Sequence, residues 1–333
     1  MSQRNAIILA AGKGTRMKSK KNKVMHQLID RPILAYPKKA LEEAGADRIV
    51  IVAGYEAQSL MDAFPDAEFA IQHELLGTGH AVMQAQALKD EEGLTLVMNG
   101  DVPCLQPETL KKLYEAGKDS SLVLLSAILE DGLHYGRVVR EEDGSVSAIV
   151  EAKDCNEDQK QIREINAGVY CFNNRDLFES LSELTTDNAQ HEYYLTDLVK
   201  ILHNKGKKVQ AIPADDPDEM AGINTKSELA QVQKWMQHRI NQKWLDEGVQ
   251  IMDPERTMIG PDVQFGKDVL IYPDTELTGK TWIGDNVEIG SFSSLHNAAV
   301  HAGSKVRLCR VENAELPEDS QTELTVIKEG TNA

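Results

Sequence analysis

The chain has 333 residues, with 36 lysines and arginines against 53 aspartates and glutamates, which gives a formal net charge of −17. A chain of this length is expected to form about two domains and to bury a sizeable core. Its content of 41% hydrophobic and 27% charged residues argues against wholesale disorder, and no apolar run approaches the roughly 20 residues that span a bilayer. The strong negative charge argues against a nucleic-acid-binding or membrane-binding surface.

The N-terminal residues and the cysteines indicate a cytoplasmic protein. The short apolar stretch at residues 6–9 runs directly into glycines and lysines without a cleavage-site pattern, which predicts a buried strand and not a signal peptide. The four cysteines have neither CxxC nor metal-ligand spacing, which is typical of reduced thiols. We therefore expect a soluble chain that binds neither nucleic acid nor membranes.

In the first 130 residues, short apolar runs alternate with helical patterns. This alternation predicts right-handed crossovers and a mostly parallel sheet with both faces covered, that is, an α/β fold. Ligands of such sheets bind beyond the carboxyl ends of the strands, so the loops after Leu9 and Met98 are the first candidates for a site. The predicted strands are Ala6–Leu9, Arg48–Val52, Glu68–Ile71 and Leu94–Met98.

After residue 120 the pattern becomes mixed, and it changes again near Pro254. Strands are predicted near residues 122–128, 148–150 and 168–172, and a long helix is predicted at about 225–246. Beyond Pro254, apolar residues recur every six positions, which is typical of hexapeptide repeats in a parallel β-helix. Three hexads form one turn, so residues 259–311 predict about three turns. The repeating residues are Ile259, Phe265, Ile271, Leu277, Ile283, Ile289 and Leu295.

The loop after the first strand, residues 9–17 (LAAGKGTRM), is suited to binding an anion. Gly12 and Gly14 allow the backbone to approach a ligand closely. A dinucleotide fingerprint would need a third glycine where Met17 stands, and a Walker A loop would need the order Gly-Lys-Ser/Thr. Six cations without an acidic residue follow within eleven positions, which favours a polyanionic ligand over a merely solvated basic loop. They are Lys13, Arg16, Lys18, Lys20, Lys21 and Lys23.

Two further polar segments follow predicted strands. Asp101 comes just after the fourth strand, where a carboxylate can share Mg²⁺ with ligand phosphates, although it could equally cap a helix near Gln106. Gln72 and the glycine loop at residues 77–80 open a helix whose amides could hold a base or sugar edge. A plain strand-to-helix turn is the alternative for this second segment.

Together these segments resemble one known family, the bacterial N-acetylglucosamine-1-phosphate uridyltransferases, which form the pyrophosphorylase half of a bifunctional enzyme. The resemblance runs in order over about residues 5–300. LGTGHA at 76–81 and MDP at 252–254 are its more specific segments, whereas LAAGKGTRM is shared with other sugar nucleotidyltransferases. The other matching segments are KVMH at 23–26, GDVP at 100–103, YGR at 135–137, EAKD at 151–154, EINAGVY at 164–170, EYYLTD at 192–197 and GINTK at 222–226.

The resemblance implies a domain order and a role for each matching residue. A Rossmann-like nucleotidyltransferase domain with a mixed, mostly parallel sheet would occupy residues 1–224, followed by a linker helix at 225–250. A short left-handed parallel β-helix would occupy 251–312, before a polar tail at 313–333. Arg16 and Lys23 would be catalytic, and Asp101 and Asn224 would bind Mg²⁺. The substrate-binding residues would be Leu9, Ala10, Ala11, Gly12, Gln72, Gly77, Thr78, Asn99, Gly100, Asp101, Gly136, Glu151, Asn166, Tyr194, Thr196 and Asn224.

The implied reaction joins UTP to N-acetylglucosamine-1-phosphate and releases pyrophosphate. A sugar phosphate oxygen would attack the α-phosphorus in line, and no general base is needed because the second pKa of such phosphates is about 6. Two alternatives remain open: a nucleotidyltransferase for another sugar phosphate, such as glucose-1-phosphate, and a non-enzymatic nucleotide-sugar sensor.

The chain also departs from the family pattern. The β-helix of the bifunctional enzyme has many more turns and carries acetyl transfer from acetyl-CoA there, so we expect no acetyltransferase activity in this chain. The family forms trimers through that domain, and a short β-helix implies a small interface for any homo-oligomer. Asn22 stands where proline is usual, which is expected to loosen the loop before Lys23. Asn99, Ala167 and His191 stand where an aromatic residue, threonine and glycine are usual, and the last two bear on the sugar.

Overall fold

The computed structural model describes residues 3–130, 132 and 134–328 of the chain. It divides into two compact units. The first contains the chain up to His26 together with Pro32–Lys226, and the second contains Gln27–Arg31 together with the chain from Ser227 onward. In these described ranges, no helix combines the length and the apolar character that crossing a membrane needs.

A nine-stranded mixed sheet forms the centre of the first unit. The eleven strands up to residue 213 are β1 (Arg4–Ala10), β2 (Gln27–Leu28), β3 (Arg31–Pro32), β4 (Arg48–Ala53), β5 (Glu68–Ile71), β6 (Leu94–Asn99), β7 (Leu122–Ile128), β8 (Arg137–Arg140), β9 (Val146–Val150), β10 (Glu164–Asn173) and β11 (Val209–Pro213). The sheet runs in the order β11-β7-β10-β6-β1-β4-β5, with β8 paired to β10 and β9 paired to β8. The strands β2 and β3 form a separate pair.

Side chains from both faces of this sheet are buried. The neighbouring residues Ile7 and Ile8 of β1 are both fully buried but belong to two different core clusters. Strands buried on both faces have continuous apolar sequences, which is why β1, β4 and β6 could be predicted. The predicted strand β5 is half-buried and lies at the edge of the sheet. The helices of this part of the chain are α1 (Ala35–Glu43), α2 (Ala57–Ala63), α3 (Thr78–Met83), α4 (Pro107–Gly117), α5 (Glu157–Lys160), α6 (Asn174–Leu181) and α7 (Asp197–Asn204).

The sheet is mixed because one long strand runs against its neighbours. Strand β10 lies antiparallel to both β6 and β7, whereas β1 is parallel to β4 and β6. The pairing of β10 with β7 shifts register between Asn166 and Tyr170, which marks a β-bulge or a similar irregularity. The predicted mixed, mostly parallel sheet is confirmed.

The second unit combines a long helix with a parallel β-helix. The helix α8 (Lys226–Asp246) corresponds to the one predicted at about residues 225–246. Three parallel sheets follow, in the orders β12-β15-β18-β21-β24, β13-β16-β19-β22-β25 and β14-β17-β20-β23. Their strands are β12 (Gln250–Ile251), β13 (Thr257–Ile259), β14 (Gln264–Phe265), β15 (Leu270–Ile271), β16 (Thr275–Thr278), β17 (Trp282–Ile283), β18 (Glu288–Ile289), β19 (Ser294–His296), β20 (Ala299–Val300), β21 (Lys305–Arg307), β22 (Arg310–Glu312), β23 (Glu315–Leu316), β24 (Gln321–Glu323) and β25 (Val326–Lys328).

The β-helix continues beyond the end that the sequence predicted. Ile259, Leu277 and Leu295 stack above one another in register, and Val311 and Ile327 continue the same column. The early coils take three steps of six residues, whereas the later coils shorten two of these steps to five. This shortening removes the strict hexad pattern but keeps the core column. The predicted polar tail from residue 313 is therefore wrong for residues 315–328, and the remaining tail positions, 329–333, lie outside the described residues.

Candidate active site

The first cavity lies where the carboxyl ends of β1 and β6 meet. Leu9 of β1 pairs with Asn99 of β6 in parallel register, so the chain leaves both strands at the same edge of the sheet. The two loops that the sequence marked as candidates thus contribute to one cavity of about 330 Å³. It is lined by Leu9, Ala10, Ala11, Gly12, Lys23, Val24, Gln72, Leu75, Gly77, Thr78, Ala81, Asn99, Asp101 and Glu192.

Gly14 packs directly against the side chain of Lys23. Its φ of 58° lies in the left-handed region that favours glycine. A β-carbon at Gly14 would lie 2.5 Å from the Cβ of Lys23, which is closer than two carbon atoms can approach without displacement. Gly14 therefore positions Lys23, a role that the motif alone did not reveal.

Asn22 fixes the turn that carries Lys23. Its Oδ1 accepts a hydrogen bond from the Val24 N–H at 3.1 Å, which caps the 3-10 turn Lys23–Met25. Its Nδ2 donates to the carbonyl oxygen of Tyr55 at 2.7 Å, and the residue is 1% exposed. The expectation that Asn22 loosens this loop is wrong, because two hydrogen bonds replace the restriction that a proline would supply.

The Lys23 ammonium contacts both predicted metal ligands. Its Nζ forms a salt bridge with the Asp101 carboxylate and donates to Asn224 Oδ1 at 2.9 Å. The Ile223 N–H donates to the Asp101 carbonyl at 3.0 Å, which holds the segment before Asn224 beside the end of β6. The helix α4 begins after Gln106, so the alternative that Asp101 caps this helix is excluded.

Asp101 and Asn224 fit a magnesium ion that is bound together with phosphate. Carboxylate and amide oxygens are donors that Mg²⁺ accepts, and this ion usually takes its other ligands from substrate phosphates and water. In the part of the chain that the structure describes, no group of three or more His, Cys, Asp or Glu side chains could hold a metal ion on its own. The pair already binds one cation, the Lys23 ammonium, which shows that its oxygens can face a positive charge.

Gln72 and Gly77 also line the first cavity. Gln72 Nε2 donates to the Gly77 carbonyl at 3.1 Å and lies 3.0 Å from His80 Nδ1. Because a carbonyl oxygen only accepts, this bond fixes the orientation of the carboxamide and leaves Oε1 as an acceptor for a ligand. Gly77 has a φ of 110°, and a β-carbon there would lie 2.6 Å from the Tyr193 carbonyl oxygen, so only glycine fits.

A second cavity of about 200 Å³ adjoins the first. Leu9, Thr78 and Asn99 line both cavities, so a molecule in one would lie next to a molecule in the other. The remaining residues of the second cavity are His134, Tyr135, Gly136, Glu151, Asn166, Ala167, Gly168, Tyr170, Leu195 and Thr196. The irregularity of β10 explains why Asn166, Ala167 and Gly168 all reach it, since a regular strand alternates its faces.

The polar groups of the second cavity are joined in pairs. Thr196 Oγ1 donates to Glu151 Oε1 at 3.0 Å, and Asn166 Nδ2 donates to the Tyr170 hydroxyl at 2.7 Å. Burial raises the pKa of the Glu151 carboxyl above its usual value, against the hydrogen bond from Thr196, and two nearby aspartates raise it further. A carboxyl, an amide and hydroxyl groups around so small a volume suit a ligand rich in hydroxyls, such as a sugar.

Four predicted site residues line neither cavity. Asn224 is one of them, although it accepts a hydrogen bond from Lys23, which lines the first cavity. Arg16 is exposed in the 3-10 turn Thr15–Met17. Gly100 donates its N–H to the Leu9 carbonyl at 2.9 Å, and a β-carbon there would lie 3.0 Å from a Leu34 methyl group, so its role here is close packing. Tyr194 lines a third cavity of about 420 Å³, which shares Glu151 with the second.

Sequence reasoning also missed residues that line the two cavities. His134 and Gly168 line the second cavity, and Glu192 lines the first. His134 carried no motif signal of its own. Glu192 and Gly168 lie in the matching segments EYYLTD and EINAGVY, but no role was assigned to them, and the register shift in β10 shows how Gly168 reaches the cavity. His191, which replaces the usual glycine, has a φ of 54°, so a left-handed backbone is retained at this position without glycine.

Comparison with known proteins identifies the family. Residues 6–201 match the MobA-like NTP transferase domain. The chain is 42% identical to the bifunctional protein GlmU of Limosilactobacillus reuteri over 320 residues, which make up 95% of this chain and 70% of that protein. The chain belongs to the GlmU family. It is accordingly a GlmU-like sugar-phosphate nucleotidyltransferase.

Other relatives agree with this assignment. The bifunctional protein GlmU of Halalkalibacterium halodurans is 41% identical over 322 residues, which cover 96% of this chain and 71% of that protein. The fold also resembles the crystal structure of UDP-glucose pyrophosphorylase complexed with UDP-glucose, with a TM-score of 0.58 and 21% identity. That likeness covers 72% of this GlmU homologue and all of the compared chain, and it concerns the fold.

We predict that Gly14→Ala slows pyrophosphate release by this GlmU homologue by about 10- to 100-fold. The new methyl group must displace Lys23, and a misplacement of about 1 Å can cost this much in rate. The measurement is kcat in steady state. Gly144→Ala is the matched control, because Gly144 also has a positive φ, of 83°, but nothing lies within 4 Å of an added β-carbon. Equal kcat values for the two variants would contradict the role of Gly14.

Proposed function

We propose that this chain is a UTP:N-acetylglucosamine-1-phosphate uridylyltransferase, which makes UDP-N-acetylglucosamine and pyrophosphate. The observation that carries the proposal is the shared wall of Leu9, Thr78 and Asn99 between the two cavities. On one side of this wall lie the glycine loop, Lys23 and Asp101, which suit a triphosphate. On the other side lie Glu151 and Asn166, which suit a sugar. Two substrates held this way would meet at the wall.

Gln72 supports uracil as the base. With its nitrogen held by Gly77, its Oε1 accepts hydrogen bonds. The N3 atom of uracil carries a hydrogen and can donate to this oxygen, whereas N3 of cytosine is an acceptor and would meet another acceptor. A buried, unpaired polar contact of this kind strongly disfavours the wrong base.

The proposed reaction requires positioning and charge neutralisation rather than acid–base chemistry. A phosphate oxygen of the sugar phosphate forms the new bond to the α-phosphorus of UTP. The bond between the α-phosphorus and the bridging oxygen breaks, and its electron pair leaves with pyrophosphate. Because the second pKa of a phosphate monoester is about 6, the attacking oxygen is already ionised at neutral pH. The remaining cost is to bring two anions together.

We propose that a small set of residues brings the two anions together and neutralises their charge. Lys23 would move from Asp101 to the phosphates of UTP, and Arg16, which is exposed on the adjoining turn, would neutralise the leaving pyrophosphate. Asp101 and Asn224 would hold Mg²⁺, which would supply further positive charge to the phosphates. The other substrate-binding residues keep the roles that the family resemblance implies. Tyr194 lines the third cavity, so it could contact the sugar phosphate only if this ligand extended from the second cavity past Glu151.

Ala167 supports keeping one alternative, a nucleotidyltransferase for another sugar phosphate such as glucose-1-phosphate. This residue lines the second cavity and lacks the hydroxyl of the threonine that is usual in the family. The presence of Lys23 together with Asp101 and Asn224, the residues we propose as metal ligands, disfavours a sensor without catalytic activity, since a sensor needs neither. Our proposal also includes a cytoplasmic location, the potential for a homo-oligomer through the β-helix, and the absence of acetyl transfer by these 333 residues.

Pyrophosphate release from a matrix of nucleoside triphosphates and sugar phosphates, with and without Mg²⁺, tests the proposal. We expect the highest kcat/KM for UTP with N-acetylglucosamine-1-phosphate and Mg²⁺. Lys23→Ala should lower this value by about 10²–10³-fold, as is usual when one charge-stabilising donor is lost. A higher kcat/KM with glucose-1-phosphate would favour the alternative sugar. No turnover with any pair would favour the sensor.

The raised pKa of Glu151 predicts a pH dependence for sugar phosphate use. The ionised carboxylate accepts hydrogen bonds from sugar hydroxyls, and a raised pKa means that this form is lost earlier as the pH falls. We expect the ratio of kcat/KM for the sugar phosphate between the wild type and Glu151→Gln to fall as the pH is lowered from about 7.5 to 5.5. Ionisation of the substrate cancels in this ratio. A ratio that stays constant would contradict a role for the ionised carboxylate.

A further inference from the structure

The ammonium group of Lys23 lies where the structure places the two oxygen donors of the proposed metal site. It forms a salt bridge with Asp101 and a 2.9 Å hydrogen bond with Asn224 Oδ1. The side chains of Lys23 and Asp101 are only 16% and 17% exposed, so water screens this contact weakly. A cation of the protein itself thus occupies the oxygens that a divalent ion would need.

The two cations compete for the same oxygens. Mg²⁺ requires oxygen ligands at about 2.0–2.1 Å in near-octahedral geometry, and it would repel an ammonium group on those ligands. A divalent ion must therefore displace Lys23 from Asp101 and Asn224. Displacement without a new partner would leave the ammonium in a partly buried place beside a second positive charge, which is unfavourable.

Only the outer part of the Lys23 side chain is free to move. Asn22 caps the turn that holds its backbone, and Gly14 lies against its Cβ. The side chain lines the first cavity, whose open volume is about 330 Å³. Lys23 can thus turn its ammonium towards the cavity while its backbone stays in place. In the cavity, the phosphates of a bound nucleotide would offer the ammonium anionic partners.

We propose that Lys23 competes with divalent metal for Asp101 and Asn224, so that metal binds well only together with the nucleoside triphosphate. The phosphates give Lys23 a new anionic partner and give the metal its missing oxygen ligands. By linkage, the nucleotide raises the affinity for metal by the same factor by which metal raises the affinity for nucleotide. This inference rests on the proposed function, because it assumes the metal site and a triphosphate in the first cavity.

Binding of Mn²⁺, which stands in for Mg²⁺ and is detected directly by electron paramagnetic resonance of the free ion, tests the competition. We expect Lys23→Met without nucleotide to bind Mn²⁺ about tenfold more tightly than the wild type, a change within the usual range of coupling between two ligands. Lys21→Met is the matched control. It removes the same charge from an exposed lysine in the same loop, so it should change the Mn²⁺ affinity much less. Lys23→Gln is a second variant should Lys23→Met fail to fold.

The same experiment with a non-hydrolysable UTP analogue separates this inference from the proposed function. We expect the analogue to raise the Mn²⁺ affinity of the wild type far more than that of Lys23→Met. If the analogue promotes Mn²⁺ binding but the lysine variants bind Mn²⁺ no better than the wild type without it, the competition is wrong and the function stands. If no variant binds Mn²⁺ even with the analogue, both are wrong. An equal gain for Lys21→Met would also overturn the competition, since it would indicate a general effect of charge.

Discussion

The parallel pairing of β1 with β6 is the constraint on which the site depends. With Leu9 opposite Asn99, the glycine loop and Asp101 must leave the sheet side by side. This register places a cation-rich loop next to a carboxylate that follows a buried strand. The remaining parts of the site are added to this edge: the Gln72 loop from beyond β5, Asn224 from beyond β11, and the β10 segment that supplies the second cavity.

The electrostatics of the site follow from the same constraint. The chain carries a net charge of −17, which would repel nucleotide and sugar phosphate alike. Six cations concentrated between Lys13 and Lys23 reverse the charge locally. Only Lys23 among them lines the first cavity, and it is paired there with Asp101 and Asn224. The free protein therefore neutralises this part of its own site before any ligand arrives.

Sequence reasoning reached the parts of the structure that are governed by local patterns. The strands β1, β4 and β6 could be predicted because burial on both faces produces continuous apolar runs. The early β-helix could be predicted because each side of a coil repeats after six residues. Most of the first cavity could be predicted because glycine loops and the residues that follow strands have recognisable patterns.

The parts that sequence reasoning missed depend on contacts between distant residues. The register shift in β10, which brings Ala167 and Gly168 to the second cavity, is decided by pairing with β7. In the later β-helix coils, two of the three steps are five residues long instead of six. The six-residue pattern is therefore lost from the sequence, although the column Leu295–Val311–Ile327 continues in the core. The effect of Asn22 on the loop could not be predicted from the absence of proline alone. The hydrogen bonds of Asn22 with the Val24 N–H and the Tyr55 carbonyl become visible only in the folded structure.

The central claim is that Lys23 and Asp101 work together to neutralise the phosphates, Lys23 through its ammonium group and Asp101 through the Mg²⁺ that it would hold. A double-mutant cycle on kcat/KM for pyrophosphate release, with Lys23→Met, Asp101→Asn and the double variant, tests it most directly. The claim predicts that each single variant is severely impaired and that the double variant loses little more than the worse single one, as is usual for residues that work together. Losses that multiply in the double variant, or single variants that keep full activity, would contradict the claim.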